Sequence, residues 1–201
     1  MHDFGALHRS RCSWSTFRLP SSRRASPFAV AMLPDVNALA DIVRRSGGTV
    51  AWTRHTWSDE PGVANPDWFK ATLGPETRQW MEQLVPGNPV HDIHPDLEVD
   101  SKDIIVDKYR PSAFLPDHAG LNQRLRARGI DTVIVCGTVT SFCCQSTARD
   151  ALMLDYRVCF PPDLNAGMTE TAHRTTIADL ETMGLFDLRS AQAIAHAMLG
   201  D

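Results

Sequence analysis

The sequence has no apolar run approaching the roughly 18 residues that a helix needs to cross a bilayer, so no membrane-spanning helix is expected. It has no block of basic residues either. With 20 Lys and Arg against 24 Asp and Glu the net charge is -4, which speaks against nucleic acid and against an anionic membrane surface as partners. The five cysteines, Cys12, Cys136, Cys143, Cys144 and Cys159, are odd in number and fall in no metal-ligand spacing. That argues against a disulfide framework and points to a reducing, cytoplasmic setting. There is no internal repeat. What is present is 201 residues with 43% hydrophobic content, enough for one globular domain with a sizeable core.

Residues 4–27 stand apart. They hold five arginines (Arg9, Arg11, Arg18, Arg23, Arg24), several serines and no acid. Organellar transit peptides share that bias, but amphipathic periodicity is lacking, and the segment reads as disordered or wrongly framed. The expected partition is an atypical N-terminal segment, 1–27, and one folded domain, 28–201.

From Pro34 onward Val36, Leu39, Ala40 and Val43 share one helical face that stops at Gly47-Gly48. The pattern then predicts a strand at 49–53, a long loop at 54–74, a helix at 75–85, a strand at 103–107 and a helix around Leu121 and Leu125. Residues 132–136 form the strongest strand, a continuous apolar run suited to burial on both faces. A helix at 141–154, a strand at 157–160, a helix at 169–183 and a last short strand and helix follow. The alternation predicts an α/β fold: a three-layer, doubly wound, mostly parallel sheet with helices on both faces.

In such sheets reactive groups collect beyond the carboxyl ends of the strands. After the strand ending at Cys136-Gly137, Cys143 falls at the start of a helix, where backbone N–H groups and the positive helix end favour a thiolate and could hold an oxyanion. Cys144 is the competitor, but helical spacing groups it with Ala148, Ala151 and Leu152 on a buried face. Cys136 and Cys159 lie in apolar strands and read as core. A second strand end runs through Ile104-Ile105-Val106-Asp107 into Lys108, whose ammonium could hold a nucleophile ionised or could simply be solvated.

Two segments carry a resemblance. Gly137-Thr138-Val139-Thr140-Ser141-Phe142-Cys143-Cys144-Gln145-Ser146-Thr147-Ala148-Arg149-Asp150-Ala151 resembles the nucleophile motif of the isochorismatase-like cysteine hydrolases, and Asp107-Lys108-Tyr109-Arg110-Pro111-Ser112-Ala113-Phe114 resembles their lysine motif. The resemblance runs from about residue 30 to the C-terminus. It implies a Cys-Lys-Asp triad, acyl transfer through the cysteine, a non-proline cis peptide between Thr138 and Val139, and an oxyanion hole from the N–H groups of Val139 and Cys143. The family's aspartate ends the first strand, just before a segment of the type Met-Gln-Asn-Asp-Phe. Here Met1-His2-Asp3-Phe4 opens the chain, and that central strand is not recognisable. The alternatives are a wrongly chosen start, replacement by Asp3 or Asp35, and lost activity. Asp3 is taken as the third member. Asp35 follows a possible strand at 28–33, although Pro34-Asp35-Val36-Asn37 looks like a helix start.

Nicotinamidase-like members bind a metal through an Asp-x-His pair after the second strand. Thr53-Arg54-His55-Thr56-Trp57 lacks the aspartate, so the resemblance implies no metal and no cofactor, and disfavours nicotinamide as substrate. The motif resembles the amidohydrolase branch most, which implies a linear amide or a ureido or carbamoyl acid as substrate rather than isochorismate. Arg110, Phe114, Trp57 and Thr140 are the expected substrate contacts, with Trp52, Trp68, Phe69 and Arg54 as further candidates. His173 is a possible site residue, and Asp163 is expected to support the site from behind. A homo-oligomer, dimer or tetramer, is implied as well. The reading of a different class is an inactive homologue that assembles and binds a ligand.

Overall fold

Strand β4 (Ile130–Thr138) is the axis on which the rest is built. In this computed structural model residues 11–17 and 27–200 are described. In chain order they form β1 (Arg11–Phe17), α1 (Pro27–Ala31), α2 (Leu33–Arg45), β2 (Thr49–His55), α3 (Asp67–Thr72), α4 (Pro75–Met81), β3 (Ile104–Lys108), α5 (Leu121–Arg126), β4, α6 (Gln145–Met153), β5 (Arg157–Cys159), β6 (Asn165–Ala166), α7 (Glu170–Met183) and α8 (Ala191–Leu199). The sheet order is β3-β2-β1-β4-β5, and every pairing is parallel. The two-residue β6 runs beside the end of β4, pairing with Gly137 and Thr138.

The alternation of side chains along a strand divides the core in two. Val50, Trp52, Ile134 and Cys136 face α2 and α8, while Ala51, Ile104, Val106, Val133 and Val135 face the layer holding Leu121, Leu125, Ala148, Ala151 and Leu180. This is the three-layer α/β fold that the alternating elements predict. Cys136, Cys144 and Cys159 are buried in these layers, as expected for small apolar side chains.

Three expectations are corrected. The central strand is present: Arg11–Phe17 pairs with β2 on one side and β4 on the other, so seven residues assigned to an unfolded segment occupy the middle of the sheet. Its backbone hydrogen bonds on both edges, rather than an apolar pattern, define it. The run at 28–33 is helical, not a strand. The final short strand is reduced to a bridge between Cys159 and Asp187. Residues 1–10 and 18–26, the rest of the segment expected to be disordered, lie outside the described residues, and Asp3 is among them. Among the described residues no helix is long and apolar enough to cross a membrane.

Candidate active site

Lys108 is the last residue of β3, and the sheet order puts β3 three strands away from β4. At the usual inter-strand spacing that is about 14 Å. The long lysine stem and the turn that follows β4 close the gap. Residues Thr140–Cys144 form a single π turn before α6 begins, so Cys143 sits in a widened turn ahead of the helix rather than inside its first turn. Lys108 Nζ lies 3.3 Å from Cys143 Sγ. It also donates to the carbonyls of Arg110 at 3.0 Å and Pro111 at 2.7 Å. Both Lys108 and Cys143 are only 4% exposed. An ammonium this buried needs such partners, because leaving water without them costs several kcal/mol.

The turn is tightly organised. The peptide between Thr138 and Val139 is cis, the bond at which the resemblance located it. The Val139 carbonyl accepts from the amides of Phe142 at 3.0 Å and Cys144 at 3.2 Å. Cys144 is buried in the core layer, and burial, with Cys143 and Cys136 adding to it, pushes its thiol well above the ordinary range. Cys144 therefore stays protonated, whereas Cys143 is the sulfur that faces the Lys108 side chain.

Behind Lys108 lies a polar cluster that sequence reasoning did not assemble. The Thr56 amide donates to the Lys108 carbonyl at 2.8 Å, and the Thr56 hydroxyl is 2.8 Å from His91 Nε2. Arg54 grips Asp107 through two bonds of 2.7 and 3.0 Å. His55 pairs in register with Lys108, and burial first, then the charges of Lys108, Arg110 and His91, drive its imidazole well below the ordinary value near 6.5. His91 comes from a loop 35 residues downstream of Thr56 with no periodicity to announce it.

A histidine held neutral in the fold takes up its proton in the unfolded chain first, so stability is full above about pH 6.5 and declines as pH falls through that value. His173, also lowered by burial, adds in the same direction. Melting temperatures measured between pH 5 and 8 are expected to fall on the acid side, and His55→Asn is expected to flatten that slope. An equal slope in the variant would mean that other groups carry the acid sensitivity.

Of the expected substrate contacts, several are otherwise engaged. Phe114 is 1% exposed and packs on Tyr156 with ring centroids 5.5 Å apart, so it is core. Trp57 is buried with Met81 and Leu84 in a separate cluster, its ring 5.9 Å from the Lys70 ammonium. Trp52 is core too, its indole donating to Asp103, and Trp68 and Phe69 meet edge to face. Thr140 is fully buried, and its hydroxyl lies 2.9 Å from His173 Nδ1. Arg110 donates to the Tyr109 and Ala64 carbonyls, which fixes the loop rather than presenting a free fork. Asp163 accepts from the Ala191 amide at the start of α8.

Asp3 lies outside the described residues. It precedes β1, whose carboxyl end at Phe17 is the one directed to the site, and between Asp3 and Asp35 the sequence has no acid. The surroundings of His55 do not fit a metal. Arg54 takes the nearby carboxylate, and among the described residues no group of three or more His, Cys, Asp or Glu could hold an ion.

The family profile described as Isochorismatase domain matches residues 13–192. Nicotinamidase 3 of Arabidopsis thaliana is 28% identical over 180 residues, covering 88% of this chain and 84% of that protein. Ureidoacrylate amidohydrolase RutB of Caulobacter vibrioides is 29% identical over 136 residues, covering 64% of this chain and 60% of that protein. Among solved structures, an isochorismatase family protein of Desulfovibrio vulgaris superposes with a TM-score of 0.78 at 23% identity, covering 94% of this chain and 99% of that one.

Proposed function

This chain belongs to the isochorismatase family, and from that premise we propose that it hydrolyses a C–N bond of a small linear amide, ureido acid or carbamoyl acid with Cys143 as nucleophile. The observation that carries the reading is the buried 3.3 Å contact between Lys108 Nζ and Cys143 Sγ. The relatives named as a nicotinamidase and a ureidoacrylate amidohydrolase support C–N hydrolysis as the reaction class.

The steps balance with two side chains. The Cys143 thiolate, paired with the Lys108 ammonium, attacks the carbonyl carbon, and the electrons displaced onto oxygen are held by the amides of Val139 and Cys143. Collapse breaks the C–N bond while Lys108 gives the departing nitrogen a proton. Ammonia or an amine leaves, and a thioester and a neutral lysine remain. Water then attacks the thioester and passes its proton to Lys108. The C–S bond breaks, the acid departs, and the ion pair is restored. The lysine serves as acid and then as base, which a site whose central strand Arg11–Phe17 contains no carboxylate requires of it. Asp3, if it takes part, is a further proton carrier and not the nucleophile's only partner.

A panel of linear amides, ureido acids, carbamoyl acids and nicotinamide, assayed for ammonia release at neutral pH, tests the reading. Release from at least one linear compound is expected. Turnover of nicotinamide alone would overturn the substrate class, and no turnover together with a Cys143 inert to iodoacetamide would favour the non-catalytic homologue.

A further inference from the structure

Cys143 sits on a ring of backbone closed by the Gln145 amide, which donates to the Thr140 carbonyl. Such a turn places a side chain only as well as the two residues that close it are held. Helix α7 holds both. The Thr140 hydroxyl lies 2.9 Å from His173 Nδ1, and Gln145 Nε2 donates to Asp179 at 3.2 Å. We propose that His173 is a positioning residue for Cys143: by holding Thr140 it fixes the turn that sets the nucleophile against the Lys108 ammonium, an inference that rests on the role proposed for Cys143.

The first argument is burial. Thr140 has no exposed surface, so its hydroxyl is satisfied by the imidazole rather than by bulk water. Either tautomer closes the bond, the hydroxyl donating to a bare Nδ1 or accepting from Nδ1–H. Losing the imidazole would strand a buried polar group three residues before the nucleophile, a cost the turn relieves by moving.

The second argument is the course of the chain. Asn165 and Ala166 pair with Gly137 and Thr138, the residues leading into the cis peptide, and α7 then follows the turn into α6. Contacts come in order: Thr140 with His173, Gln145 and Arg149 with Asp179 at 3.2 and 2.7 Å, and Arg149 with the Met183 sulfur at 3.5 Å. The close approach shows at residue 167. A Cβ there would lie 2.9 Å from the Thr169 carbonyl and 3.0 Å from His173 Cβ, so glycine lets the chain turn tightly into α7 and bring His173 to Thr140. The Thr169 hydroxyl accepts from the Ala172 amide and fixes the first turn of that helix. The Asp179 bonds lie at the surface, where such pairs contribute little, so His173 and not Asp179 is the residue that fixes the turn.

His173→Phe keeps a ring and removes the bond, while His173→Asn places an amide where Nδ1 stands. Iodoacetamide labelling of Cys143 at neutral pH, and turnover of whichever linear compound the panel identifies, are measured in both, in Thr140→Val and in Thr140→Val/His173→Phe. His173→Phe is expected to lower kcat by about 10- to 100-fold with KM within about threefold, and labelling by about fivefold or more. His173→Asn recovers most of both. The double variant loses no more than either single one, because each removes the same bond. Should His173→Phe fail to fold, Thr140→Val against Thr140→Ser makes the same comparison, and labelling decides alone if no compound is turned over. Wild-type rates in His173→Phe, a His173→Asn as impaired as His173→Phe, or losses that multiply in the double variant would overturn this inference alone. A wild-type Cys143 inert to iodoacetamide would instead bring down the hydrolase reading, and this inference with it.

Discussion

Replacing Cys143 by alanine is expected to lower hydrolysis by roughly 10⁴-fold or more, whereas Cys144→Ala changes it by less than about threefold. The two thiols are neighbours in sequence and opposite in setting. Cys143 contacts the Lys108 ammonium at 3.3 Å, while Cys144 is turned into the core layer, where burial raises its thiol and suppresses ionisation. Iodoacetamide reacts with thiolates and not with thiols, so peptide mapping after brief labelling at neutral pH should find the carbamidomethyl group on Cys143. Both variants should fold, since each removes a single sulfur. Labelling confined to Cys144, or full turnover in Cys143→Ala, would move the nucleophile elsewhere and end the acyl-enzyme scheme.

The parts of the fold legible in the sequence are those where local pattern and tertiary role agree. The continuous apolar run of β4, the apolar face of α2 and the glycine after it each reflect burial directly, and the structure has them where the pattern does. The Cys143 and Lys108 segments were legible through their motifs, because a turn that aims a thiol needs a fixed succession of residues. β1 was not legible. Arg-Cys-Ser-Trp-Ser-Thr-Phe has no apolar run and lies among arginine-rich sequence, and only pairing with strands 36 and 120 residues further on defines it as a strand, as the partners Ser13 with Thr49 and Thr16 with Cys136 indicate. The aromatic residues near the motifs misled for a related reason. Phe114 and Trp57 have the composition of a pocket wall, but what they face depends on how long loops return, and both return into packed clusters. Asn165 and His91 carried no signal at all, since their polar atoms acquire meaning from backbone carbonyls and hydroxyls distant in sequence.

Lys108→Arg separates charge from proton transfer. Arginine keeps the positive charge and can still donate to the Arg110 and Pro111 carbonyls, but a guanidinium does not give up its proton under these conditions. If Lys108 acts as acid and base, turnover in Lys108→Arg falls by about 10²- to 10³-fold. Labelling of Cys143 by iodoacetamide, which needs only the stabilised thiolate, stays within about tenfold of the wild type. Lys108→Met removes the charge as well, and both turnover and labelling then collapse. The contrast between the two variants carries the test, because a merely structural lysine would lower both readouts together in each of them, alongside the melting temperature. Turnover preserved in Lys108→Arg would reduce Lys108 to an electrostatic partner of Cys143 and assign the proton to another group, with Asp3 the first to replace.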